Sequence, residues 1–305
     1  MTVKIINSSN VEPLLDWSEL VTDLIDGHSR PKAQIRDIIL SRKDDTLLSR
    51  TAWIDGLGQL VKTATIFPKN KNTSLPVING SVSLFSDQTG ELEAFIDFHL
   101  LTKWKTAADS LLATKYLARK NSEKILLVGS GNMSSAMVAA YKTIFPDANY
   151  YIWSRSLENA SIFSKKHAVT LVQNLKKGVE EADIICTATM SIMPLIKGKW
   201  LRPGQHLDLI GSYRPDMREI DDIAIKKGRI FVDSFDTTVE HIGELKIPLQ
   251  SRVIKREDIL ADFYSLNKFK RKSQNEITIA KNGGGAHLDL MTSKYILKKW
   301  KTIHN

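Results

Sequence analysis

One cysteine, Cys186, stands in a chain of 305 residues. A disulfide within the chain is therefore excluded, and so is a metal site built from several thiolates. Cys186 lies in the apolar run Ala182–Cys186 and reads as a small buried hydrophobe. No uninterrupted apolar run approaches the roughly 18 residues that a membrane span needs. The N-terminus lacks the basic segment and apolar stretch of a secretory leader, so a cytoplasmic protein without membrane contact is expected. Acidic residues are in deficit: 43 Lys and Arg against 34 Asp and Glu leave a net charge of +9, with Lys294, Lys298, Lys299 and Lys301 crowded near the end. No helix-turn-helix, zinc-finger or RNP pattern accompanies that charge, so nucleic acid is not an expected partner. The basicity reads as attraction for small anionic ligands plus a solvated surface. Internal repeats and low-complexity tracts are absent as well.

What is present is an ordinary globular composition, 42% apolar, 25% charged and 8% aromatic, long enough for a large core in one or two domains. The most informative stretch is Lys124–Arg155. It opens with the apolar run Ile125–Val128, as a strand buried on both faces requires. Gly129-Ser130-Gly131 follows, then a helical pattern over Met133–Ile144 and a second strand, Tyr150–Trp153. Strand, glycine turn, helix and strand within about thirty residues form a βαβ unit whose first turn can accept a dinucleotide pyrophosphate. Gly129 permits the tight turn, Gly131 lets the backbone approach the phosphates, and the helix start at Asn132 and Met133 turns its N–H groups toward the anion. Ser134 stands where the third glycine of GxGxxG would be. At the end of the second strand, NAD binders place Asp or Glu on the ribose 2′-hydroxyl. Here the chain reads Ser154-Arg155, a hydroxyl and a guanidinium, which suit a 2′-phosphate. NADP(H) is the expected cofactor, with NAD(H) as the alternative.

Before this unit, residues 1–118 read as mixed α/β, with a helix over Leu14–Ile25 and strands at Arg36–Leu40, Thr46–Ile54, Leu60–Phe67 and Pro76–Phe85. A hairpin is expected around Gly90-Glu91, then a helix over Leu100–Arg119. Beyond the unit, helices at Ser156–Lys166 and Leu175–Ala182 alternate with strands at Val169–Leu171, Asp183–Ala188, His206–Ile210 and Ile230–Val232, the last read as the final strand. Alternation of this kind implies a doubly wound parallel sheet with ligands at the carboxyl ends of its strands. Gly129, Arg155, Thr187-Ala188-Thr189 and Gly211-Ser212-Tyr213 should converge there. Asn282-Gly283-Gly284 precedes a final helix, His287–Lys301, and such glycines can be flexible or bring backbone close to a ligand.

Lys62 with Pro68 and Asn70, Leu75-Pro76, Leu101–Arg119 (LTKWKTAADSLLATKYLAR), Gly129–Gly131, Ala182–Ser191 (ADIICTATMS), Trp200–His206 (WLRPGQH), Ile210–Asp221 and Glu276–Asp289 together resemble the ornithine cyclodeaminase/μ-crystallin family. The resemblance implies α/β architecture in two domains. Residues 1–118 with 287–305 would bind substrate and dimerise, and 119–286 would be a Rossmann-type dinucleotide-binding domain. It also implies a homodimer. Cyclodeaminases of the family carry an aspartate two residues after the glycine equivalent to Gly211, and this chain has Tyr213. The stretch Gly211–Glu219 is similar to the imine-reductase branch, which includes Δ1-pyrroline-2-carboxylate reductases. Arginine is usual in the family before Thr-Ala-Ala, and Lys105 replaces it, retaining charge but losing the bidentate fork.

The implied reaction is NADPH-dependent reduction of a cyclic ketimine carboxylate, Δ1-pyrroline-2-carboxylate or its six-membered homologue Δ1-piperideine-2-carboxylate, to L-proline or L-pipecolate. An NAD-dependent ornithine cyclodeaminase and a non-catalytic NADPH-binding protein are the alternatives. Lys105 and Arg36 are assigned to the substrate carboxylate, with Arg30 and Arg42 as competitors to Arg36. Lys62, set in the apolar strand LVKTATIF, is assigned to the imine nitrogen. The cofactor set comprises Gly129, Gly131, Asn132, Met133, Ser154, Arg155, Thr187, Ala188, Thr189, Ser212, Tyr213, Asn282 and Gly284. His206, His241 and His287 could titrate near neutrality, but none has metal-ligand spacing. His287, beside the glycines, is the one of interest.

Overall fold

The computed structural model describes residues 3–304. It divides into two compact units, Met1–Lys105 with Gly285–Asn305, and Thr106–Gly284. In chain order the first unit holds β1 (Lys4–Ile6), α1 (Ser8–Val11), α2 (Trp17–His28), β2 (Gln34–Arg42), β3 (Asp45–Ile54), β4 (Gly58–Ile66), β5 (Ile78–Phe85) and β6 (Leu92–Ile96). Helix α3 (Phe98–Leu117) follows, and the division falls inside it rather than at its end. The second unit continues with β7 (Lys124–Val128), α4 (Asn132–Lys142), β8 (Asn149–Trp153), α5 (Leu157–His167), β9 (Thr170–Leu171), α6 (Leu175–Glu181), β10 (Ile184–Thr187), β11 (His206–Leu209), α7 (Asp222–Lys227), β12 (Gly228–Val232), α8 (Gly243–Gln250) and β13 (Ile277–Lys281). The closing helix α9 (Ala286–Lys301) returns to the first unit.

The first unit is a six-stranded sheet in the order β1-β6-β5-β4-β3-β2, antiparallel except for the parallel pair β1–β6. The expected hairpin is present: β5 and β6 pair antiparallel, Ser86 N donates to Glu91 O at 2.9 Å, and Gly90 takes φ +70°. Helix α2 begins at Asp16, whose carboxylate accepts from Ser18 N (2.8 Å) and Glu19 N (2.9 Å), a cap that satisfies two otherwise unpaired donors. Its residues Trp17, Leu20, Val21, Leu24 and His28 recur at helical spacing and are buried. In β4 burial alternates, so Leu60, Lys62 and Ala64 occupy successive inward positions. One of the four buried positions on that strand, the others being Gly58, Leu60 and Ala64, is therefore a lysine.

The second unit is a wholly parallel seven-stranded sheet, β12-β13-β11-β10-β7-β8-β9. The strand order reverses direction at β7 and β10, the topological switch point where such sheets open a crevice. Leu126, Val128, Ile185, Leu207, Leu209, Ile230 and Ile279 fill its interior, which is why these strands read as continuous apolar runs. One expectation is corrected. Ile230–Val232 is not the last strand, because β13 inserts between β11 and β12. All five residues of β13 are buried, including Thr278 and Lys281, and those polar positions hide the strand from an apolar-run reading. No helix among the described residues is long and apolar enough to cross a membrane.

Replacing Asp16 by Ala should lower the stability of the protein by about 1 kcal/mol, read from denaturant unfolding. An unchanged midpoint would remove Asp16 as the cap that starts α2.

Candidate active site

Burying an ammonium is costly unless it is paired. Lys62, 6% exposed, is paired: its Nζ donates to Asp289 Oδ1 and to Thr102 Oγ1, both at 2.9 Å, and lies 4.9 Å from the centre of the Phe98 ring. Thr102 donates its own proton to Phe98 O at 2.7 Å, which leaves its oxygen free to accept from the lysine. Asp289 comes from the first turn of α9 and is fully buried. Its second oxygen, Oδ2, has no hydrogen-bond partner among the described residues.

The charges around the pair are unequal. Burial pushes Lys62 down to about 8; Asp289 opposes this, while Lys105 and Arg50 add to it. Burial alone would raise Asp289, but Lys62, Lys105 and Arg50 outweigh it and hold the carboxyl at about 2. Three cations thus surround one carboxylate, a surplus suited to an anionic ligand. His287, two residues earlier on α9, is buried, its ring edge-on to His28 at 5.4 Å. Burial first, then the charges of His28 and Lys105, keep His287 far below the usual histidine range, so it is neutral.

Of the residues assigned from sequence, Lys62 and Lys105 come together here. Arg36 does not join them. It is exposed on β2, opposite Thr51, with its guanidinium donating to Ile35 O at 2.7 Å. The arginine that reaches this group is Arg50, the cross-strand neighbour of Lys62 on β3. It donates to Asp37 Oδ2 at 2.7 Å, and its buried Nε has no hydrogen-bond partner among the described residues. Sequence reasoning missed Arg50, Thr102 and Asp289. For Asp289 there was a signal: a carboxylate inside the apolar opening of a helix, AHLDL.

The second unit carries the glycine turn. Gly129 has φ +109°, and a Cβ there would lie 2.6 Å from Ala188 O. Ser134 is fully buried and donates to Gly129 O at 2.5 Å, so the residue in the third glycine position ties the turn to the helix. Gly131 precedes α4, no side chain caps that helix, and no acidic residue lies in its first turn. A Cβ on Gly131 would enter open space, which is the room a diphosphate needs above Asn132 and Met133. The Ser130 hydroxyl donates to Ser154 Oγ at 3.1 Å. Arg155 is exposed at the end of β8 and makes no ion pair among the described residues. These residues fit a dinucleotide.

At the other strand ends several assigned residues turn inward. Thr187 is buried at the end of β10; Ser212 donates its hydroxyl to Glu244 Oε2 at 2.9 Å. Asn282 donates its amide to Thr106 O and Ser110 Oγ, each at 3.2 Å, and the Gly284 N–H is taken by Asp233 Oδ2. Thr189 bonds Glu219, and Tyr213 is largely exposed. His206 is buried in the sheet against Thr278 and pushed down to about 3 by burial and Arg271, so it acts as a packing group. His241 is exposed in a turn.

A doubly wound parallel sheet with a dinucleotide-type glycine turn, and a separate unit holding a buried lysine–carboxylate pair, define an α/β protein with a Rossmann-type domain. The profile of the ornithine cyclodeaminase/mu-crystallin family matches residues 54–303, and the chain belongs to that family. A Δ1-pyrroline-2-carboxylate reductase of Paracoccus denitrificans is 42% identical over 293 residues, 93% of each chain. Among solved structures, Thermococcus litoralis Δ1-pyrroline-2-carboxylate reductase in complex with NADH and L-proline superposes with a TM-score of 0.91 at 26% identity, covering 99% of this chain and 98% of that one. An archaeal alanine dehydrogenase dimer with bound NAD also gives 0.91 at 26% identity, covering 100% and 98%.

The pair also sets a pH dependence. The folded pKa of Asp289 lies below its ordinary 3.8, so its contribution is complete above that value and lost as pH falls toward about 2. Lys62 is depressed from 10.5 to about 8. The folded chain sheds this proton before the unfolded one does, so stability should rise between those values. Asp289→Asn should cost about 3–5 kcal/mol at neutral pH and move the start of the alkaline rise below that of the wild type. Denaturant unfolding across a pH series measures both effects. An unshifted alkaline limb would break the assigned coupling.

Proposed function

We propose that this protein reduces a cyclic ketimine carboxylate with NADPH, forming L-proline from Δ1-pyrroline-2-carboxylate and L-pipecolate from the six-membered ring. The observation that carries the reading is the buried Lys62–Asp289 pair with Lys105 and Arg50 around it. A ketimine carboxylate needs cations for its carboxylate and a proton for its nitrogen. Lys105 and Arg50 supply the cations, Arg50 with an uncommitted Nε; Arg36, assigned this task from sequence, lies outside the group. Lys62, poised at about 8, can hold or give a proton near the operating pH. Asp289 keeps it charged and offers Oδ2 as an acceptor for a protonated imine N–H. The nicotinamide, when bound, supplies the hydride. Tyr213, in place of the cyclodeaminase aspartate, weighs against ornithine as substrate.

NADP(H) over NAD(H) rests on Ser154 and on the exposed Arg155, which makes no ion pair among the described residues, with no carboxylate at that strand end. Relatives of known structure carry NADH or NAD, so this preference is particular to the chain's own residues. We also propose a homodimer. Ile38, Ile39 and Leu40 on edge strand β2 are each more than half exposed, with Leu47 beside them on β3, an apolar edge that a second copy would cover.

NADPH oxidation with each imine, beside ornithine plus NAD, tests the reading. Turnover with an imine and no ammonia from ornithine is the expected result, and ammonia from ornithine would replace the reductase by the lyase. Lys62→Ala should lower kcat at least roughly 100-fold with NADPH affinity unchanged. Arg155→Ala should raise the KM for NADPH roughly tenfold and leave that for NADH in place; an equal effect on both cofactors would remove Arg155 as the phosphate-reading residue.

A further inference from the structure

Beyond Thr187↔Leu209 the ladder between β10 and β11 ends, yet the two chain ends stay in contact. Thr187 O takes Ile210 N (2.9 Å) and Gly211 N (3.1 Å), and past those bonds one carboxylate carries the link on to Thr189 and Ser212. Glu219 Oε1 accepts from Thr189 N (2.9 Å) and Thr189 Oγ1 (2.7 Å), while Oε2 accepts from Gly211 N (2.8 Å) and Ser212 N (3.3 Å). Two donors from each strand end thus converge on one fully buried side chain. The approach is so close that a Cβ on Gly211 would collide with the Thr189 backbone and with Glu219 itself, which explains the glycine. Ala188, held between Thr187 and Thr189, is the residue whose carbonyl abuts Gly129 in the phosphate turn.

We propose that Glu219 is a positioning residue for the dinucleotide, its carboxylate extending the β10–β11 link past the last backbone bonds at Thr187 and thereby fixing the crest on which Gly129 rests. The proposal depends on the dinucleotide reading above.

Glu219 does not act alone. Glu244, from α8, accepts from Glu219 N (2.7 Å) and Ile220 N (3.1 Å), so it holds the backbone from which Glu219 reaches out. Lys281 at the end of β13 is buried beside them and donates to Leu209 O at 3.0 Å; Asp233, following β12, and Asp109, on α3, also act on its charge. Near Glu219 and Glu244 the countercharge is Lys281. Burial together with the Glu219 charge pushes Glu244 up to about 7. As pH rises through that value, a second negative charge enters the crest beneath a diphosphate anion, and affinity should fall.

Glu219→Gln places an amide N–H against donors on one side and opens the link. NADH and NADPH binding, followed by nicotinamide fluorescence, should weaken roughly tenfold or more, while the KM for the imine at saturating cofactor stays within about twofold. Wild-type affinity for NADH, which has no 2′-phosphate to titrate, should fall as pH rises through about 7, and Glu244→Gln should flatten that dependence. A folded Glu219→Gln with wild-type cofactor affinity, or with cofactor and imine affinity lost equally, overturns the proposal. If Glu219→Gln does not fold, the pH arm decides: affinity that does not fall, or a fall that survives in Glu244→Gln, overturns it. Absence of any dinucleotide binding by the wild type would instead overturn the functional reading, and this proposal with it.

Discussion

A charged side chain on an inward position of a strand has to be neutralised by its surroundings, and the first unit is arranged around that requirement. Alternation along β4 sends Lys62 inward between Leu60 and Ala64. The compensating carboxylate is Asp289, which the chain supplies only after the whole second unit has been traversed. Return of the C-terminal helix to the first unit is thus an electrostatic necessity as well as a packing one. A buried pair of this kind adds little net stability over an apolar replacement. Its retention is better explained by what an ammonium held near neutrality can do.

The second unit solves a related problem with the opposite sign. Strands that diverge at a crevice leave backbone donors without ladder partners, and buried donors must be satisfied. Glu219 takes such donors past the ends of β10 and β11, and Asp233 those past β13, while Glu244 braces the backbone of Glu219. Carboxylates gathered under a site for an anionic cofactor would repel it if uncompensated. Lys281, buried beside these carboxylates, offsets that repulsion.

Much of this was legible in the residues. Continuous apolar runs announced the parallel strands, and GSG announced the tight turn between β7 and α4. Lys62 stood out because a lysine inside LVKTATIF breaks its pattern. Other features were illegible for definite reasons. Strand β13 was hidden because Thr278 and Lys281 occupy buried positions, and their partners lie far away in sequence. Arg36 and Arg50 are alike as single arginines in neighbouring strands, and only pairing of β3 with β4 places Arg50 across from Lys62. Ser212 and Asn282 read as groups facing a ligand, whereas their side chains bond inward to Glu244 and Ser110.

By itself, then, the sequence determined the periodic properties: where apolar periodicity marks a strand or helix, where the chain turns on glycine, and which charge is present or missing at a strand end. These follow from local steric preference and from burial pattern, both written within a few residues. Tertiary structure alone decided which charges meet. The partnership of Lys62 with Asp289, the choice of Arg50, and the joining of two strand ends by Glu219 link positions distant along the chain. Electrostatic and hydrogen-bond energies depend on separation in space, over a few ångströms, and sequence order does not specify that distance.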